Sequence, residues 1–262
     1  MGRLALSLLG PLWVTRDSRA VAGFEYDKVR ALLAYLALEA DRPHRREMLA
    51  GLLWPEQPEK AARDSLRNAL ATLRQAIGDA DADPPYLFIT REAVQFNADS
   101  DHTLDVVEVT RRLEQAGRHR HRNPETCRIC AAWQREAADL YRGPLLAQFS
   151  LPDNLDFEYW LLNKREQLHR AVMGTFQRLA DYSLLRGEND AAHFFAGRQL
   201  AHEPWHEGAH RQAMRALARK GDRSAALMQY QACVRALDEE LGVKPEAETV
   251  LLFDRIRDGI PL

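Results

Sequence analysis

Residues 60–77 read KAARDSLRNALATLRQAI, from Lys60 to Ile77, and the division of this stretch into two faces decides how the rest of the chain is read. At about 100° per residue, Ala62, Leu66, Ala69, Leu70, Leu73 and Ile77 fall on one apolar stripe, while Lys60, Arg63, Arg67, Asn68 and Arg74 project elsewhere. Arg bonds guanine bidentately and Asn does the same with adenine, so the polar face carries groups that read base edges in a major groove. A merely solvated amphipathic helix has the same periodicity, and the flanking sequence separates the two readings.

Upstream, Val29, Leu32, Leu33 and Leu36 recur at i, i+3, i+4 and i+7 and predict a first helix. Met48, Leu49, Leu52 and Leu53 predict a short second one that opens near Pro43 and is stopped by Trp54-Pro55. Downstream, an acidic, proline-containing loop over residues 79–85 leads into YLFIT and AVQFN around Arg91-Glu92, two β-rich runs about a tight polar turn, hence a hairpin over 86–97. Residues 4–9 and 12–15 are strand-like on either side of Gly10-Pro11. The order of strands, three helices and hairpin predicts a winged helix-turn-helix domain over residues 1–99, with the helix at 60–77 in the groove and the hairpin as wing.

Residues 100–262 carry an internal repeat. Gly187, Ala191 and Ala192 recur as Gly221, Ala225 and Ala226, a period of 34, which is that of tetratricopeptide units. Such units need neighbouring helices to cover their faces, and residues 160–172 before them and 246–256 after them fit that role. The predicted fold class is mainly α with small β: a winged helix followed by an all-α helical-repeat domain at 100–262, a surface for proteins or for a second copy rather than for catalysis.

In order and spacing, LLGPLWV (8–14), KVRALLAYLAL (28–38), RREMLAGLLWPEQ (45–57) and SLRNALATLR (65–74) resemble the DNA-binding half of SARP-type bacterial transcriptional activators, whose winged helix is similar to that of response regulators. LYRGPLL (140–146), FEYWLLNKREQL (157–168) and LDEELGVKPEAET (237–249) resemble the bacterial transcriptional activator domain that follows in that family. Carried over from similar winged helices residue by residue, the outward positions of the third helix are Arg63, Ser65, Arg67, Asn68, Thr72 and Arg74, with Arg91 at the wing tip. On this resemblance Arg67 and Asn68 are expected to contact bases, whereas Arg45, Arg46, Arg63, Arg74 and Arg91 grip phosphates, which position a protein without specifying sequence. It further implies binding to double-stranded DNA at direct repeats, as a homodimer or higher assembly on DNA, and contact with RNA polymerase. Many members continue into a nucleotide-binding switch module, so this chain is expected to be either a small constitutive activator or the N-terminal portion of a larger regulated protein.

Charge alone does not announce a nucleic-acid partner. The net charge is −2, and residues 1–99 hold 13 Lys and Arg against 14 Asp and Glu. The positive groups nevertheless cluster at Arg42, Arg45 and Arg46 and along the third helix, so the expected affinity of a monomer is modest and strongly salt dependent. The apolar run at 4–14 followed by Ala20-Val21-Ala22 mimics a signal peptide, but Gly10-Pro11 breaks it and Arg16, Asp17 and Arg19 intrude before the supposed cut. No run approaches the ~20 apolar residues of a membrane span, and three cysteines do not suggest a disulfide framework, so the expectation is cytoplasmic with no membrane partner.

Two constellations resemble metal sites. His202-Glu203-Pro204-Trp205-His206 matches H-E-x-x-H, with His210 beyond, but Pro204 belongs in a first helical turn, which places His202 before the helix and makes the segment an inter-repeat turn. His119, His121, Cys127 and Cys130 supply four soft ligands within GRHRHRNPETCRIC, enough for a structural zinc site in a stretch without apolar periodicity; the competing reading is two cysteines opening a helix beside a solvated His-Arg loop. No cofactor is otherwise required. Phosphate-binding and dinucleotide-binding glycine motifs and the G-x-S-x-G elbow are missing, so the chain is not expected to be an enzyme. From another functional class, the alternative is a protein-interaction scaffold that does not bind DNA and is built on the repeats.

Overall fold

The structure is a computed structural model and describes residues 3–24, 26–121 and 123–262. It forms two compact units, Met1–Arg111 with Asp139–His169, and Arg112–Ala138 with Arg170–Leu262. A single cut at residue 99 does not separate them, for reasons visible in the first unit.

There, β1 (Leu4–Ser7) pairs antiparallel with β2 (Trp13–Arg16), which pairs with β3 (Arg19–Ala20); the sheet order is β3-β2-β1-β7. β7 (His102–Leu104) lies beyond residue 99 and runs parallel to β1, with Leu4 opposite His102 and Leu6 opposite Leu104. Next comes α4 (Asp105–Arg118), whose first residue accepts the backbone N–H of Leu8 at 2.9 Å and of Leu9 at 3.0 Å, closing the end of β1. Farther along the chain, Leu9 bridges Leu145, and Asn154 Nδ2 donates to the Leu53 carbonyl at 2.7 Å at the end of α2. Trp160 packs on Tyr35 with ring centroids 4.8 Å apart, and its indole N–H donates to Glu39 Oε1 at 2.9 Å. Residues 139–169 therefore complete the first unit.

Three helices fill that unit, and the apolar positions that predict them are buried except in the second helix, where Met48 is exposed and Leu52 is half-buried. α1 (Asp27–Leu38) buries Val29, Leu32, Leu33 and Leu36; α2 (Arg46–Leu53) buries Leu49 and Leu53; α3 (Glu59–Ile77) buries the whole stripe Ala62, Leu66, Ala69, Leu70, Leu73 and Ile77. α3 ends at Gly78, whose φ of +66° is left-handed and whose missing Cβ leaves room for the Arg16 guanidinium. A short 3-10 turn (Asp79–Asp81) then leads to the hairpin β5 (Leu87–Ile89) and β6 (Ala93–Phe96), joined by β4 (His44–Arg45) in the order β4-β6-β5. β3, β4 and β7 were not expected: two or three residues are too few to show alternation, and tertiary pairing alone makes them strands.

The second unit is helical. Residues 170–185, the end of α6 (Leu155–Leu185), are followed by α7 (Asn189–Leu200), α8 (Glu207–Arg219), α9 (Arg223–Leu241) and α10 (Ala247–Arg257). Gly187 and Gly221, at φ +72° and +83°, make equivalent turns before α7 and α9, and Ala192 and Ala226 are fully buried, as close helix approach requires. α8 starts at Glu207, three residues after the expected Pro204, because the His206 imidazole caps it by accepting the Ala209 N–H at 3.1 Å. His210 is buried, with Nε2 2.8 Å from the Pro204 carbonyl and Nδ1 2.7 Å from Gln229 Nε2. Both are fold-building histidines, and among the described residues the H-E-x-x-H segment does not gather into a metal-ligand cluster.

Candidate nucleic-acid interface and a histidine-cysteine cluster

The face of α3 opposite its buried stripe exposes Lys60, Ala61, Arg63, Asp64, Arg67, Asn68, Ala71, Arg74 and Gln75. Lys60, Arg67 and Asn68 lie at i, i+7 and i+8 on one side of the helix. Arg67 is 72 % exposed and pairs loosely with Asp64 at 3.4 Å, an i,i+3 contact that water screens readily. Asn68 and Lys60 have no hydrogen-bond or ion-pair partner among the described residues. Lys60 is a cation that the family-based assignment of outward positions leaves out, although its register places it beside Arg67.

Other expected contacts are engaged within the fold. Ser65 Oγ donates to Gln57 Oε1 at 2.8 Å, tying α3 to the turn before it. Thr72 is half-buried. Arg63 pairs with Glu59 and, at 3.4 Å, with Glu47 of α2. Arg74 Nε donates to Asp79 Oδ2 at 2.9 Å, and the other Asp79 oxygen accepts the Leu87 N–H at 3.0 Å. Asp79 belongs by sequence to the acidic loop at 79–85, yet its side chain is 1 % exposed and joins the end of α3 to the first strand of the wing.

The wing contributes free cations. Arg91 is exposed in the β5–β6 turn, whose backbone is held by Thr90 Oγ1 accepting from Glu92 N and Ala93 N. Arg45 is exposed on β4, opposite Ala93 in the same sheet, and neither arginine has an acidic partner among the described residues. Arg46 is half-buried at the start of α2, its N–H bonded to the Glu92 carbonyl at 2.9 Å.

In the second unit, His119, His121, Cys127 and Cys130 converge so that their ligand atoms all lie within 4.8 Å of one another. His119 and His121 follow the end of α4, Cys127 follows a 3-10 turn (Pro124–Thr126), and Cys130 lies in the first turn of α5 (Arg128–Leu140). The sequence reading that joined these four residues agrees with their placement. His121, Cys127 and Cys130 also line a cavity of about 860 Å³, together with Arg178, Tyr182 and Arg219.

A family model described as "Bacterial transcriptional activator domain" matches residues 104–257. The chain belongs to the bacterial transcriptional activator domain family. Its relatives are regulators of the SARP type. It is 28 % identical to the transcriptional regulatory protein EmbR of Mycobacterium tuberculosis, over 99 % of this chain and 65 % of that protein. It is 28 % identical to the regulatory protein DnrI of Streptomyces peucetius, over 93 % of this chain and 88 % of that protein. To AfsR of Streptomyces coelicolor it is 27 % identical, over 99 % of this chain and 25 % of that protein. A solved structure of M. tuberculosis EmbR in complex with a low-affinity phosphopeptide superposes with a TM-score of 0.70 at 25 % identity, covering all of this chain and 67 % of that one. The chain thus spans about two thirds of EmbR or slightly less. Its mainly helical architecture with small sheets is that of the EmbR structure, and the relatives it matches are regulatory proteins.

Proposed function

We propose that this regulator is a sequence-specific DNA-binding activator that lays α3 in the major groove and the β5–β6 wing along the adjacent backbone. The observation that carries this reading is the outer face of α3, where Asn68 and Arg67 stand exposed beside Lys60 on a helix whose opposite face is wholly buried. Arg67 and Asn68 are the base-reading pair. Lys60, Arg45 and Arg91 are the phosphate contacts, with Arg63 joining them by exchanging Glu47 and Glu59 for a phosphate. Arg46 and Thr72 stay at the margin, and Ser65 and Arg74 hold the helix in place.

Around this interface we place direct-repeat DNA, a second copy of the chain and RNA polymerase as partners, with the helical repeats as the protein-contact surface. Action in the cytoplasm goes with this reading. Among the described residues no helix is long and apolar enough to cross a membrane.

The test is selection of bound fragments from random duplex DNA, followed by salt titrations on the selected site. Arg67→Ala and Asn68→Ala should each lose about 1–3 kcal/mol of discrimination at one base position. Arg91→Ala should weaken all sequences alike and lower the salt slope by about 1. A flat log-log salt dependence on any duplex would replace this reading with a protein-interaction scaffold.

A further inference from the structure

We propose that His119, His121, Cys127 and Cys130 bind one zinc ion in a closed tetrahedral site, through Nδ1 of both histidines and the sulfur of both cysteines. With zinc–nitrogen bonds of about 2.0–2.1 Å and zinc–sulfur bonds of about 2.3 Å, an ideal tetrahedron has a nitrogen–nitrogen edge of about 3.3–3.4 Å and nitrogen–sulfur edges of about 3.5–3.6 Å. Here the two Nδ1 atoms are 3.3 Å apart. His119 Nδ1 lies 3.3 Å from Cys130 Sγ and 3.5 Å from Cys127 Sγ, and His121 Nδ1 lies 3.7 Å from Cys130 Sγ. Four of the six edges of the polyhedron therefore match the metal's own geometry to within about 0.3 Å.

The donor set selects the ion. Two thiolates and two imidazoles are soft and borderline ligands that suit a tetrahedral zinc and offer magnesium or calcium no oxygen. Four protein ligands leave no position for a reactive water, so the ion is structural rather than catalytic. Packing holds one ligand in place: the His119 ring meets Trp133 edge-on with centroids 5.6 Å apart. The clip joins the end of α4 to the start of α5 across a segment that lacks the apolar residues to build a core of its own. It also fixes the cavity wall that carries His121, Cys127 and Cys130.

Elemental analysis of the full chain, purified without chelator under reducing conditions, should give one zinc per chain. Cobalt exchanged into the site should show thiolate charge-transfer bands and the intense visible bands of a tetrahedral centre. Cys127→Ser, at a half-exposed position, should lose the metal and lower the melting temperature, whereas Cys233→Ser should keep one zinc. Chelation of the unaltered protein should lower its melting temperature and zinc should restore it, a readout that needs no variant to fold. Any of three results overturns the proposal: a reduced protein that takes up no zinc, an octahedral cobalt spectrum, or full zinc content in Cys127→Ser.

Discussion

Replacing Arg74 with alanine separates a structural role from a DNA-contacting one. The Asp79 carboxylate is almost fully buried and is held by two donors, the Arg74 guanidinium and the Leu87 N–H. Removing one partner of a buried pair commonly costs about 3–5 kcal/mol, because a charge is left behind without its counter-ion. Arg74 is itself 49 % exposed, so water screens the pair and the Leu87 bond survives, which brings the expected loss to about 2–3 kcal/mol. For a chain of this size that is a fall in melting temperature of about 5–10 °C. Asp79→Ala should lose a similar amount, since it orphans the buried Leu87 N–H, a cost of about 1–3 kcal/mol, in addition to losing the pair. The double variant should be less damaging than the sum of the two. Thermal and urea unfolding by circular dichroism read the stability, and a salt titration of DNA binding well below the melting point reads the interface. The structural assignment requires an unchanged salt slope. An Arg74→Ala protein that melts like the parent while its log-log slope falls by about 0.9 refutes the reasoning and makes Arg74 a phosphate ligand.

Asp105→Ala removes the acceptor for the buried N–H groups of Leu8 and Leu9 and should cost about 2–4 kcal/mol in urea unfolding, with Asp105→Asn recovering part of it; a loss under 0.5 kcal/mol would contradict the closure of β1 described above. Burial acts to raise the Glu39 carboxyl, but hydrogen bonds from Lys164 and Trp160 outweigh it and hold the group below its ordinary value of 4.5. Its contribution to stability is therefore complete above that value and is lost as the pH falls through the lower, folded-state value. Lys164→Met should accordingly destabilise at neutral pH by about 1 kcal/mol and flatten the pH dependence of urea unfolding below about 4.5.

The helices and the hairpin were legible because each has a period long enough to see. Nineteen residues of α3 show their stripe and their polar face without help from the rest of the chain. The His-Cys cluster was legible because its four members lie within a dozen residues. What stayed hidden depends on distant partners. Asp79 and Asp105 look like solvated acids until the backbone N–H groups they serve are brought to them. Ser65 and Arg74 have the right helical phase for a groove, and only the positions of Gln57 and Asp79 show that they are engaged elsewhere. The boundary near residue 100 coincides with a change from mixed to helical sequence, whereas packing returns residues 139–169 to the first unit.

Because the two units take the chain in alternation, the order of synthesis matters. A ribosome releases β1, β2 and α3 of the first unit well before Leu145, Asn154 and Trp160, the residues that close it. The first unit stays incomplete while residues 112–138, which belong to the second, are synthesised. A gene fragment ending at residue 99 would encode a sheet without its parallel edge strand and an α1 without the indole that covers Tyr35. The first unit is therefore not a contiguous stretch that ends at residue 99. It is a unit of two segments with residues 112–138 inserted between them.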